Sequence, residues 1–169
     1  MKQKKAKVLA QKGKAVRQVG ALVYRRLPEQ ELEILLLTSR GTSRFVIPMK
    51  GKLNSRAAVL EAEQEAGITG QVSADPIGSY RYWKRLRTLF VPVTVVVYAI
   101  EAEAELSHWQ ERRQRKRRWL RVDAAASLVD EPELVSLITS FGHSKCNVSG
   151  AELGSALLAS RQSRASAFG

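Results

Sequence analysis

The chain has 169 residues, the length of one ordinary domain with room for tails, and an apolar fraction of 44% supports a sizeable core. No apolar run approaches the roughly 20 residues a spanning helix needs, and a single cysteine, Cys146, excludes an intrachain disulfide. The net charge of +12 favours anionic partners, but seven basic residues and no acid fall within residues 1–17, so the basicity is partly a property of the leader.

The leader lacks the apolar run of a signal peptide. With the lone cysteine, this gives the expectation of a soluble, cytoplasmic protein with no membrane partner. Cys146 has no motif around it and reads as an inert small residue. Three segments are expected: a basic leader over 1–14, a domain over 15–142, and a Ser/Ala-rich tail over 143–169. The leader reads as a solvated segment, with an RNA- or polyphosphate-contacting arm as the sharper alternative.

The elements follow in chain order. RQVGALVYRR, from Arg17 to Arg26, mixes β-branched and aromatic residues and reads as a strand; LEILLLT, from Leu32 to Thr38, reads as its hairpin partner. A glycine loop with Arg40 and Arg44 leads to a short strand at Phe45–Ile47, stopped by Pro48. A basic loop follows, then a short helix. Asn54 or Ser55 can cap its start, and Gly67 stands where a C-cap glycine belongs. An extended segment starts at Gly70. GSYRYWKRL, from Gly78, alternates aromatic and basic residues. LFVPVTVVVYAI, Leu89 to Ile100, is the strongest strand, with Pro92 marking a bulge or an edge. Glu101 to Ser107 reads as an acidic turn. The run WQERRQRKRRWLR, from Trp109, reads as a solvated loop entering a strand at Trp119–Val122, or as an anion-facing rim. Asp123 can cap a helix through Leu128, and another opens at Glu131 or Pro132 and runs through Phe141. A weak helix is expected near 151–160. Strands, one helix, more strands and then helices argue for an α+β fold rather than a βαβ repeat.

The chemistry concentrates in the first helix. Glu61 and Glu65 stand one turn apart with Gln64 beside them. Like charges at that spacing repel by about 0.2–0.5 kcal/mol, and a divalent cation between them reverses the sign. Mg²⁺ suits such a site, because it takes oxygen ligands shared with substrate phosphates. EAEQEAG also has the plainer reading of a solvated helix face. Arg40, Arg44, Lys50, Gly51 and Lys52 flank the loop before the helix, and Arg81 and Lys84 come from the aromatic segment. Cationic donors of this kind suit polyphosphate, with surface solubility as the alternative for each. Tyr82 and Trp83 could stack on a base or belong to the core. His108 and His143 read as surface residues.

The glutamate helix resembles the Nudix box, Gly-x5-Glu-x7-Arg-Glu-U-x-Glu-Glu-x-Gly-U, with U apolar. Aligned on Gly67 and Ile68, Glu65 takes the last box glutamate, Gln64 the one before it, and Ala62 the apolar position. Glu61 takes the glutamate after the arginine, Leu60 the arginine, Lys52 the first glutamate and Val46 the first glycine. The flanks LLLTSR, RFVIP, SYRYWKR, WQE…RRW and DAAASLVDEPELVSLI stand in family order over about residues 17–141. They are similar to a subgroup of small bacterial proteins like the diphosphoinositol-polyphosphate and diadenosine-polyphosphate hydrolases. Such members carry Lys-Gly-Trp-Pro before Met-Lys-Gly; here Pro48 joins Met49 directly.

The resemblance implies a Nudix fold, a mixed β-sheet sandwiched between helices. It also implies hydrolysis of a diphosphate linked to another moiety, assisted by Mg²⁺ or Mn²⁺. Glu61, Gln64 and Glu65 would then be metal ligands, with Glu61 and Glu65 catalytic. Gln64 offers an oxygen without charge, and Leu60 cannot make the ion pair of the box arginine. Two readings follow: a pyrophosphohydrolase attenuated by these substitutions, or a degenerate domain that binds nucleotide, polyphosphate or RNA without hydrolysis. Nucleic-acid binding through the leader and the Arg112–Arg121 run is a third, less favoured reading.

Overall fold

The two longest apolar runs, read as strands on composition alone, become the centre of one mixed sheet. This is a computed structural model, and it describes residues 8, 16–28, 31–40, 44–50, 54–86 and 89–145. The basic leader (Val8 apart), Gly51, Lys52 and the segment beyond 145, with its expected helix near 151–160, lie outside the described residues.

β1 (Val16–Arg26) and β7 (Phe90–Glu105) pair in parallel, from Val16 opposite Val93 to Tyr24 opposite Glu101. The other pairings are antiparallel. β2 (Leu32–Thr38) forms the expected hairpin with β1, and β3 (Phe45–Val46) and β8 (Arg117–Arg121) pair with β2. β4 (Met49–Lys50) pairs with β1. β5 (Ile68–Val72) and β6 (Gly78–Arg85) share the far edge of β7. Pro92 lies one residue before the first β1–β7 pair, so its missing N–H removes nothing from that ladder.

Both faces of the central strands are covered, which explains their unbroken apolar runs. On one face Leu22, Tyr24, Ile34, Leu36, Val93, Val95 and Val97 pack with α2 (Val122–Leu128) and a helix, α3, over 132–145. On the other, Val19, Ala21, Val23, Leu35 and Leu37 meet Ala57, Ala58, Ala62 and Ala66 of the glutamate helix. That alanine stripe lets the helix backbone lie close to the sheet.

Three boundaries differ from the sequence reading. Residues 101–105 are not a turn: β7 continues through them because β5 pairs there, and Glu101 accepts from Tyr24 Oη at 2.7 Å and pairs with Arg26. The last helix runs to 145, past the expected domain end at 142; Lys145 lies over the Tyr24 and Phe141 rings. α2 begins at Val122, so Asp123 lies in its first turn, where a carboxylate favours the helix dipole, rather than at the cap.

Candidate active site

The glutamate helix, α1, is regular over Ser55–Glu61. Asn54 is the N-cap: its Oδ1 accepts from the Ala57 N–H at 2.8 Å. Over Ala62–Ala66 the backbone widens into a π-helical turn, and Gly67 closes it at φ 64°, the left-handed conformation expected of a C-cap glycine. Gly67 N–H donates to the Glu63 carbonyl at 2.9 Å.

This geometry turns both candidate carboxylates inward. Glu61 is 4% exposed and Glu65 6%, so the solvated-face reading fails for them; Glu63 and Leu60 are the residues left outside. Glu65 Oε2 accepts from the Met49 N–H at 3.1 Å, which ties β4 to the helix. Its Oε1 accepts from Arg115 Nη2 at 2.9 Å. Burial pushes the Glu65 carboxyl above the usual carboxylate range. Arg115 and the Met49 N–H pull it down, while Glu111 and Glu61 add to the rise.

Glu111 is a third buried carboxylate, 7% exposed, and the sequence reading passed over it. It sits in the turn after β7, where Arg115 N–H donates to the Glu111 carbonyl at 3.0 Å. The same residues pair through side chains, Arg115 Nε to Glu111 Oε2 at 2.6 Å. Arg115 also donates to the Thr38 carbonyl at 3.3 Å, and Arg40 pairs with Glu111 from β2's end. The turn is fastened to α1: Glu111 N–H donates to the Gln64 carbonyl at 3.1 Å, and Leu106 N–H to the Gly67 carbonyl at 2.7 Å. Trp109 lies over Gly67, with the Arg117 guanidinium 4.3 Å from its ring centroid. The run from Trp109 is therefore neither a solvated loop nor a rim throughout, because Glu65 draws Arg115 in, and Arg115, Arg40 and the Gln64 carbonyl hold Glu111. The signal available was an (i, i+4) Glu–Arg pair between two tryptophans.

Among the described residues, no three His, Cys, Asp or Glu side chains gather closely enough to hold a metal ion. Arg115 bridges Glu65 and Glu111 instead. The donor chemistry still suits a hard cation: buried carboxylate oxygens, with the carbonyl-bearing Gln64 beside them.

The predicted cationic residues divide. Arg40 joins the site through Glu111. Lys50 stands in β4 opposite Val19, next to the Met49–Glu65 contact. Arg44 pairs with Asp130 and Glu131, and Arg81 with Glu133. Both pair with acids at the start of α3. Lys84 stands opposite Val91 on β7. β4 opens at Met49 directly after Pro48: the Pro48 carbonyl accepts from Ala21 N–H at 2.9 Å and Met49 pairs with Gly20.

No protein-family model matches the chain. Among curated proteins, it is 28% identical over 123 residues to "Nudix hydrolase 13, mitochondrial" of Arabidopsis thaliana, covering 67% of this chain and 61% of that one. It is 30% identical over 106 residues to "Nudix hydrolase 12, mitochondrial" of the same plant, covering 58% and 52%. The chain thus spans little more than half to three-fifths of the length of these relatives. Among solved structures, an Ap4A hydrolase from C. elegans superposes with a TM-score of 0.57 at 22% identity, over 75% of this chain and 95% of that one. The Nudix domain of Shewanella oneidensis NrtR, complexed with ADP ribose, gives 0.53 at 11%, over 75% and 87%. The expectation of a cytoplasmic protein is corrected, since these relatives are named mitochondrial. A lone cysteine and the lack, among the described residues, of a helix long and apolar enough to cross a membrane do not specify a compartment. With the glutamate helix buried against a mixed sheet, the likeness to solved structures shows the Nudix fold, and the curated proteins the chain is similar to are named Nudix hydrolases.

Proposed function

We propose that the chain is a Nudix-type pyrophosphohydrolase acting on a polyanionic diphosphate, of the dinucleoside-polyphosphate or diphosphoinositol-polyphosphate kind. The observation that carries this reading is the burial of Glu61 and Glu65 on one helix, tied through Glu65 to the Met49–Lys50 strand. Glu61, Gln64 and Glu65 would hold Mg²⁺ or Mn²⁺. A bound divalent cation there supplies charge neutralisation for the diphosphate and acidifies the attacking water.

The chain's own residues supply the rest. Glu61 and Glu65 orient the water by accepting its protons. Arg40, Lys50, Gly51 and Lys52 would offer donors to phosphate oxygens. The Met49 N–H contact holds β4 at the Glu65 carboxylate. Names of similar proteins support the substrate class: one acts on Ap4A and another was solved with ADP ribose.

The test is turnover of a panel of dinucleoside polyphosphates, ADP-ribose and diphosphoinositol polyphosphates with Mg²⁺ and Mn²⁺. Release of mononucleotide or phosphate is expected, reduced at least about 100-fold in Glu61→Gln, within the range for loss of a general base. No turnover across the panel with either ion refutes it. A second reading, binding without hydrolysis, is favoured by one observation: Glu65 is already engaged by Arg115. It predicts metal-independent, salt-sensitive binding and no product.

A further inference from the structure

We propose that Arg115 is the resident counter-ion of the helix carboxylates, which a divalent cation must displace from Glu65 in order to bind. The guanidinium is built into the site. Arg115 is 10% exposed at its side chain, against 7% for Glu65 and 9% for Glu111. It reaches both carboxylates at once, 2.9 Å to Glu65 Oε1 and 2.6 Å to Glu111 Oε2. A cation shared by Glu61 and Glu65 and a guanidinium on Glu65 Oε1 claim the same lone pairs, and the two positive charges repel in a poorly solvated setting.

The geometry also says how Arg115 lets go. Its Nε bond to Glu111 and its contact with the Thr38 carbonyl do not involve the helix. Glu111 itself is shared with Arg40. Loss of the Glu65 contact therefore leaves Arg115 with two partners, and because the guanidinium is a rigid plane, Nη2 leaves Glu65 by a tilt of the whole group about its Glu111 and Thr38 contacts. Arg115 has this role only if Glu61 and Glu65 are cation ligands as proposed above.

The experiment is Mn²⁺ binding to the full chain by calorimetry, comparing the unaltered protein with Arg115→Gln. Removing one charge-assisted competitor should tighten Mn²⁺ about 10- to 100-fold. Arg121→Gln, which removes a surface cation paired with Glu31, controls for net charge and should change affinity less than about twofold. Equal or weaker binding in Arg115→Gln overturns the proposal while leaving the cation reading intact. No Mn²⁺ binding by either protein overturns both. Should Arg115→Gln fail to fold, the unaltered protein decides: its Arg115 Nε–H resonance should shift along a Mg²⁺ titration with the midpoint of binding. A resonance that stays fixed while the ion binds overturns the displacement.

Discussion

Gly67→Ala tests how the site's two halves are joined. Gly67 holds φ 64° and ψ 38°, and a Cβ there would meet Trp109 Cδ2 and Cε3 at 2.7 Å and Cγ at 2.8 Å. Two separate terms act. An alanine in the left-handed region costs about 1–2 kcal/mol. Forcing a methyl against a ring adds about 1–3 kcal/mol, because Trp109 cannot retreat without disturbing the Arg117 guanidinium stacked on it. The total is about 2–5 kcal/mol, which for a domain of this size lowers the melting midpoint by about 5–15 °C. Thermal unfolding followed by circular dichroism measures it. Gly67→Asn separates the terms, since asparagine tolerates the backbone conformation but still meets the ring. It should recover part of the loss. A midpoint within about 2 °C of the unaltered protein for Gly67→Ala would refute the reasoning. It would mean that the Trp109 ring is not held against the helix end as described.

Two further expectations concern the same framework. Asn54→Ala removes the cap acceptor for Ala57 N–H and should cost about 1 kcal/mol, whereas Asn54→Ser should cost little; urea unfolding distinguishes them. Burial pushes the Tyr24 and Tyr82 phenols up to about 12, with the Glu101 hydrogen bond adding to the Tyr24 rise. Folded values above the unfolded 10.0 mean that the stability they contribute is whole below pH 10 and lost as pH climbs towards about 12. The urea midpoint should fall across that window, less steeply in Tyr24→Phe, and an unchanged slope in that variant would count against the assignment.

Much of the framework was open to a reading of composition. LEILLLT and VTVVVYAI are strands because buried β-branched and leucine runs bounded by turn residues have little else to be. Asn54 and Gly67 fixed the helix ends because each answers a specific local demand, an acceptor for free N–H groups and a left-handed residue. The site was legible only in part. Glu61 and Glu65 were visible as a pair, but helical spacing alone does not say whether a pair faces water or sheet. Glu111 and Arg115 escaped because their run is so basic that it resembles solvent-facing chain. What buries them is a contact across about fifty residues, and no local pattern records it. Arg81 and Arg44 show contacts of another kind that the sequence did not record. Their charge suited phosphate, but acids near α3, 52 and 86–87 residues away, take them.

The parallel β1–β7 pair sets the order in which this chain can fold. Paired residues such as Tyr24 and Glu101 are 77 residues apart, and β1 is buried along nearly all its length. At about 5–20 residues per second, a ribosome delivers the partner of β1 some 4–15 s after β1 itself. Until then β1 has β2, β4 and the α1 alanines for cover, while the edge that takes β7 and the face that packs under α2 and α3 stay open. That interval is an opening for chaperones or for wrong pairings. Conditions that slow synthesis should lower soluble yield before they alter the stability of molecules that have folded.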